Sequence, residues 1–211
     1  MDDDSRILTF HFDFPMGGIF SKKIQPEAHK ELWSLDLSHS RLSAIPHDAL
    51  GSNAGDIRRL NLSFNRELIF TIKKLEISLL DPDLFDQLTN LRVLDISSNA
   101  IAKLPNELFQ ISLEGINLSH NPLYSLNPNL FMLKNLTILS IGHCQLSSLP
   151  DDLSSLALLR TLIACSNQLD QIPENIGDMK SLQSLDLNHN MISHLPESFG
   201  NLESLIWLNL R

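Results

Sequence analysis

Residues 182–196 read L-Q-S-L-D-L-N-H-N-M-I-S-H-L-P, and residues 91–105 read L-R-V-L-D-I-S-S-N-A-I-A-K-L-P. Both stretches fit one frame, L-x-x-L-x-L-x-x-N-x-L-x-x-L-P, whose positions we number 1 to 15. The frame restarts about every 23 residues. Seven copies agree in phase from residue 32 onward, and an eighth begins at Leu205. This fixed period predicts a repeat solenoid, in which each repeat packs only on its neighbours.

The frame also indicates how each repeat folds. Positions 4 and 6 are apolar while positions 3, 5 and 7 vary, so a short strand would bury one face and expose the other. The Asn at position 9 would turn inward and satisfy backbone groups that leave the strand. Cys144 takes that position in the fifth repeat. After Leu-Pro, an apolar pair spaced three residues apart predicts a single helical or 3₁₀ turn. These pairs are Leu108/Ile111, Leu130/Leu133, Leu153/Leu156, Ile176/Met179 and Phe199/Leu202.

Two parts of the chain depart from the frame. In residues 1–31, apolar residues including Phe10, Phe12 and Phe14 alternate with polar ones, which predicts a strand that caps the first repeat. A regulatory segment that folds back onto the sheet is the alternative for these residues. The second repeat is longer than the others because of a surplus at residues 66–80. We interpret this insertion as an irregular loop, with a loop on the binding face as the alternative.

The last residue, Arg211, falls in the middle of the eighth predicted strand. A repeat that stops there exposes a sheet edge and a leucine-lined face. We therefore expect the chain to be a fragment of a longer protein. The alternative is an edge-to-edge dimer through the truncated last repeat.

With these seven copies, residues 32–211 resemble the leucine-rich-repeat family. The Leu-Pro pair at the end of the frame is similar to the intracellular Leu-Pro type, which includes scaffolds of the Ras-associated group. The resemblance implies an α/β repeat solenoid, a curved leucine-rich-repeat horseshoe. Its concave face would carry a parallel β-sheet, and its convex face short turns or 3₁₀ segments. The resemblance further implies a protein partner, with small GTPases and phosphatases as typical partners in the family.

Composition and motifs exclude several classes of function. The formal net charge of −9 argues against nucleic acid as a partner, which needs clustered Lys and Arg. No apolar stretch is long enough for membrane insertion. The sequence contains no G-x-S-x-G, H-E-x-x-H, C-x-x-C or phosphate-binding glycine loop, so we expect neither an enzyme nor a cofactor. Two cysteines and a Met-Asp-Asp-Asp start predict a cytoplasmic, intracellular location.

Positions 3, 5, 7 and 8 would face a partner on the concave side. Large apolar groups and arginines contribute most at protein interfaces, and isolated carboxylates would meet basic partner residues. The candidate partner-binding residues are Arg58, Arg59, Phe64, Arg92, Val93, Asp95, Ile138, His143, Ile163, Asp186 and Trp207. Position 8 also holds His39, His120 and His189. Only His120 and His143 would lie on neighbouring strands, so we expect no metal site, which needs three or more ligands.

The sequence therefore predicts a protein-protein interaction module, namely an intracellular adaptor or signalling scaffold whose concave sheet binds a protein. The alternative is the substrate-recognition part of a larger enzyme, a ubiquitin ligase or kinase, whose catalytic domain follows residue 211.

Overall fold

The computed structural model describes residues 34–40, 51–65 and 88–211. The predicted N-terminal cap at 1–31 and the predicted insertion at 66–80 lie outside the described residues. Within the described parts, eight three-residue strands form one sheet in the order β1 to β8. The strands are β1 (Ser34–Asp36), β2 (Arg59–Asn61), β3 (Val93–Asp95), β4 (Gly115–Asn117), β5 (Ile138–Ser140), β6 (Thr161–Ile163), β7 (Ser184–Asp186) and β8 (Trp207–Asn209).

All seven strand pairs are parallel, and each joins equivalent positions of the frame. Arg59 pairs with Val93, Val93 with Gly115, and Gly115 with Ile138. Position 3 therefore forms one straight row of residues across the sheet, and position 5 forms a second row. This register confirms the predicted solenoid with a parallel sheet on one face.

The opposite face of the sheet is the core. Its side chains come from positions 4 and 6, and Leu60, Leu62, Leu94 and Ile96 are buried examples. Burying a leucine or isoleucine fully contributes about 2 kcal/mol, so stacked repeats stabilise one another in proportion to their number.

Short 3₁₀ turns close the other side of the core, as the apolar pairs predict. They are η1 (Gly51–Asp56), η2 (Asn106–Gln110), η3 (Pro128–Met132), η4 (Asp151–Ser155), η5 (Ile176–Asp178) and η6 (Glu197–Asn201). The predicted pairs are buried, except that Phe199 is half-buried. None of the helical segments among the described residues is long and apolar enough to cross a membrane.

The asparagines at position 9 bond one repeat to the next. The Nδ2 of Asn121 donates to the carbonyl oxygens of Ile96 and Leu118, both at 2.9 Å, while its Oδ1 accepts from the Ile101 N–H at 3.0 Å. The Nδ2 atoms of Asn65, Asn99, Asn167 and Asn190 donate to their own and the preceding repeat in the same way. The inward position predicted for these side chains is confirmed.

Cys144 occupies the same inward position in the fifth repeat. Its Sγ lies 3.3 Å from the Leu118 carbonyl oxygen and 3.4 Å from the Gly142 carbonyl oxygen. Burial raises the pKa of this thiol to about 11, so it remains a neutral, weak donor at neutral pH. The thiol thus replaces the asparagine amide as a donor to the preceding repeat.

Candidate partner-binding surface

The surface that could meet a partner is the face of the sheet opposite the core, which we call the concave face. It consists of the rows at positions 3 and 5 and the residues that follow each strand. The large apolar side chains exposed on this side include Phe64 at 45%, Val93 at 37% and Ile138 at 49%. Ile163 lies on β6 and is half-buried, while Trp207 on β8 is 47% exposed. The structure therefore brings Val93, Ile138 and Ile163 onto one face, as the sequence predicts.

The arginines lie at one end of this face. Arg59 is exposed on β2 at position 3, and Arg58 is exposed one residue before it. Arg92 precedes β3, where its Nη1 donates to the Leu91 carbonyl oxygen and its Nε lies 3.8 Å from Glu114 Oε1. Arg92 is thus engaged within the protein, whereas the exposed Arg59 remains the better candidate for contact with a partner.

The carboxylates at position 5 have a structural role, besides the contact with basic partner residues that the sequence predicts. Asp95 Oδ1 accepts from the Ser97 N–H at 2.9 Å, and its Oδ2 accepts from Asn117 Nδ2 at 3.1 Å. Asp186 Oδ1 accepts from the Asn188 N–H at 3.1 Å. The same turn is made at Asp36, Asn61, Asn117 and Asn209. An Asp or Asn two residues before Ser or Asn is the sequence signal for such a turn.

Position 8 lies in a left-handed turn and does not continue the strand, which differs from our placement of it on the strand face. Seven residues at this position have φ between 52° and 59°: His39, Phe64, Ser98, His120, His143, Ser166 and His189. The physical reason is that the chain must turn sharply so that the Asn at position 9 points inward. Histidine enters this backbone region more readily than most residues, which explains its frequency here.

Phe64 adopts this left-handed conformation although it has a bulky ring. Left-handed backbone costs a residue with a Cβ about 1–2 kcal/mol, and the ring stacks on His39 with centroids 4.3 Å apart. The ring remains 45% exposed, so it is available for contact with a partner.

We expect Phe64→Asn to leave the free energy of unfolding within about 1 kcal/mol of wild type. Asparagine accepts the left-handed backbone, and this relief offsets the lost ring contact of about 0.5–1.5 kcal/mol. Urea denaturation measures the change. A loss of several kcal/mol would instead assign the ring to the folded core.

His120 and His143 also stack, with centroids 4.1 Å apart and an interplanar angle of 12°. A metal ion lies in the plane of each imidazole that binds it, and two nearly parallel planes do not share such a point. No group of three or more His, Cys, Asp or Glu suited to a metal occurs among the residues that the structure describes. The two rings therefore pack face to face across the neighbouring turns that follow β4 and β5.

The pKa of His143 is held below its usual value of 6.5, first by partial burial and then by His120 and His189, whose positive charges would oppose its own. The folded state consequently binds this proton less well than the unfolded state. The contribution of His143 to stability is complete above pH 6.5 and is lost as the pH falls through the lowered value.

We predict that His120→Ala raises the pKa of His143 towards 6.5, because it removes both the covering ring and its charge. An NMR titration of the His143 imidazole measures this value. His194→Ala serves as the control, since His194 is exposed and its Nδ1 lies 3.1 Å from the Oγ of Ser193. An unchanged pKa in the His120 variant would show that the stack does not set it.

The second cysteine has a different environment. Cys165 is half-buried at position 7 of the sixth repeat, and burial together with the charge of Asp186 raises the pKa of its thiol. A raised thiol pKa lowers the fraction of reactive thiolate, so this position favours contact over covalent chemistry.

Family models match two adjoining stretches of this chain. A leucine rich repeat model matches residues 69–123, and a leucine-rich repeat region model matches residues 121–211. Together they run from residue 69 to residue 211, which is 143 of the 211 residues. Tsukushi from Mus musculus is 37% identical to this chain over 99 residues, or 46% of the chain and 25% of Tsukushi.

Solved structures with the same fold include three leucine-rich-repeat proteins. A Leptospira interrogans leucine-rich-repeat protein matches with a TM-score of 0.59 and 27% identity, covering 84% of this chain and 54% of its own. The leucine-rich repeat domain of the type III effector XopL matches with a TM-score of 0.62 and 26% identity, covering 80% and 57%. The Drosophila Toll–Spatzle complex matches with a TM-score of 0.65 and 28% identity, covering 81% and 22%.

These comparisons correct one expectation and limit another. The chain spans between 22% and 57% of the matched proteins' own lengths. The expected intracellular location is wrong, since Tsukushi and Toll are secreted, extracellular or membrane leucine-rich-repeat proteins. The Leu-Pro frame is required by packing inside the solenoid, and this packing is the same in intracellular and extracellular proteins. The frame therefore does not report the compartment, and the specific intracellular Leu-Pro type is not confirmed.

Proposed function

Because this chain is a leucine-rich-repeat protein, we propose that it binds a protein partner on its concave face. Leucine-rich-repeat domains generally mediate protein-protein interactions and are typically non-catalytic. One observation carries the proposal for this chain: Val93 and Ile138 are both exposed in the position 3 row of the sheet, on either side of Gly115. Exposed apolar groups that lie together mark binding sites more often than scattered ones do.

The size of the face suits such a role. Eight strands spaced about 4.8 Å apart give a face roughly 35 Å long, which accommodates a standard protein interface. One matched structure is itself a complex of two proteins, Toll with Spatzle, and this likeness supports a protein as the partner here. A scaffold role in signalling stays a prediction, as do the substrate-recognition alternative and the edge-to-edge dimer.

Affinity capture tests the proposal. The chain would be compared with the variant Arg59→Glu, Phe64→Asn, Ile138→Asp, using both cell lysate and conditioned medium. We expect the triple variant to lose the partner, because it removes the apolar contact area and reverses one charge.

The matched control changes exposed apolar residues away from the concave face. Met132 and Leu158 are 64% and 49% exposed, and Met132→Asp with Leu158→Asp should leave capture unchanged. Circular dichroism would establish that both variants are folded. Retention of the partner by the folded concave variant would contradict the proposal.

A further inference from the structure

Gly115 creates a narrow apolar slot in the concave face. It is buried on β4 between Val93 on β3 and Ile138 on β5. A Cβ at Gly115 would lie 3.7 Å from both Val93 Cγ atoms and 3.9 Å from Ile138 Cβ. These are ordinary van der Waals distances, so the space between the two walls accepts a group about one methyl wide. A glycine in a strand often marks such a close approach by another group.

The polar groups beside the slot already bond to one another. Asn117 Oδ1 accepts from the Ser119 N–H at 3.1 Å, and Ser119 Oγ lies 2.7 Å from Ser140 Oγ. Covering a polar group costs free energy mainly when its hydrogen bonds are lost. An apolar side chain can therefore cover this part of the sheet without leaving these groups unsatisfied.

The charge nearest the slot in its own row is positive. Arg59 lies in the position 3 row two strands from Gly115, a distance of about 10 Å at the usual strand spacing. On the other side of Ile138, the row continues with the uncharged Thr161 and Ser184. Both oxygens of Asp95 accept hydrogen bonds within the protein, which reduces its attraction for a cation.

We propose that an extended segment of the protein partner places an aliphatic side chain in the slot between Val93 and Ile138. The same segment places a carboxylate beside Arg59. An extended chain advances about 3.3 Å per residue, so these two residues are about two to four positions apart. This inference rests on the proposed function and adds the chemistry of the contacting segment.

A displayed library of short linear peptides, selected on the full chain, tests this chemistry. We expect enriched peptides to share Leu, Ile or Val with Asp or Glu about two to four positions away. A synthetic copy of the most enriched peptide should bind about tenfold more weakly to Gly115→Ala, since the added methyl fills the slot. The methyl has room, so this variant should fold. Ser184→Ala, in the same row but outside the slot, should bind as wild type does.

Charge reversal separates the two contacts. The most enriched peptide should lose affinity for Arg59→Glu. A peptide with Lys in place of the acidic residue should bind the Arg59→Glu variant again. The inference is overturned if enriched peptides lack the acidic residue, if none is enriched, or if Gly115→Ala binds them unchanged. Self-association of the chain that Gly115→Ala abolishes would assign the slot to a second copy and would also overturn it.

The two proposals fail in different ways. If the triple concave variant loses the captured partner while Gly115→Ala retains it with full affinity, the concave face binds but the slot does not. If both variants retain the partner, the proposed function fails as well.

Discussion

Replacing Asn167 by leucine is expected to lower the free energy of unfolding by about 4 kcal/mol. The Nδ2 of Asn167 donates to the carbonyl oxygens of Ile141 at 2.9 Å and Ala164 at 3.0 Å. Its Oδ1 accepts from the N–H groups of Cys144 and Leu146, both at 3.0 Å. A leucine of similar size fills the space but leaves these buried backbone groups without a partner. Each such group costs about 1 kcal/mol or more.

Urea denaturation of Asn167→Leu measures this loss. Asn135→Ala is the matched control, because Asn135 is exposed and is not one of the inward-pointing asparagines at position 9. We expect the control to change the free energy of unfolding by less than about 0.5 kcal/mol. Equal stability of the two variants would mean that the hydrogen bonds of the position 9 asparagines do not stabilise the packing between repeats.

Replacing Gly177 by alanine is the second change with a large expected effect. A Cβ at Gly177 in η5 would overlap the Ser198 carbonyl oxygen and lie 2.9 Å from the Ser198 carbonyl carbon. It would also lie 3.0 Å from Asn201 Cβ. Because most of these neighbours are backbone atoms of η6, the turns must move apart. We expect a loss of about 3 kcal/mol, typical of a severe overpacking.

Gly200 provides a control within the adjacent turn. A Cβ at Gly200 would meet no atom within 4 Å, so Gly200→Ala should be neutral or stabilise by up to about 1 kcal/mol. Thermal unfolding of both variants measures the difference. If Gly177→Ala unfolds at the wild-type temperature, η5 and η6 do not pack as tightly as described.

The repeat frame predicts the fold well because residues at equivalent positions of the frame make equivalent packing contacts in successive repeats. Leu60 and Leu94 are buried at position 4, and Asn121 turns inward at position 9, since each has an equivalent neighbour in the next repeat. The inward position of Cys144 also follows from the frame, because its Sγ takes the place of the asparagine amide beside the Leu118 carbonyl oxygen. Each of these residues makes contacts that the neighbouring repeats require at the same position of the frame.

The turn after each strand could not be predicted from the apolar frame. The left-handed backbone at His143 and the turn made by Asp95 depend on local backbone hydrogen bonds. Asp or Asn at position 5, followed by Ser or Asn at position 7, carried the signal for that turn. The slot at Gly115 was also missed. A glycine forms a slot only when large side chains flank it, and the sequence did not show that Val93 and Ile138 do so.

Hydroxyl-radical footprinting of the chain, alone and with its captured partner, tests most directly whether the partner lies on the concave face. Phe64 and Ile138 report on that face, and Met132 and Leu158 report on exposed apolar positions elsewhere. Binding on the concave face predicts that the partner lowers oxidation of Phe64 and Ile138 and leaves Met132 and Leu158 unchanged. Protection of Met132 and Leu158 with Phe64 and Ile138 still fully oxidised would contradict it.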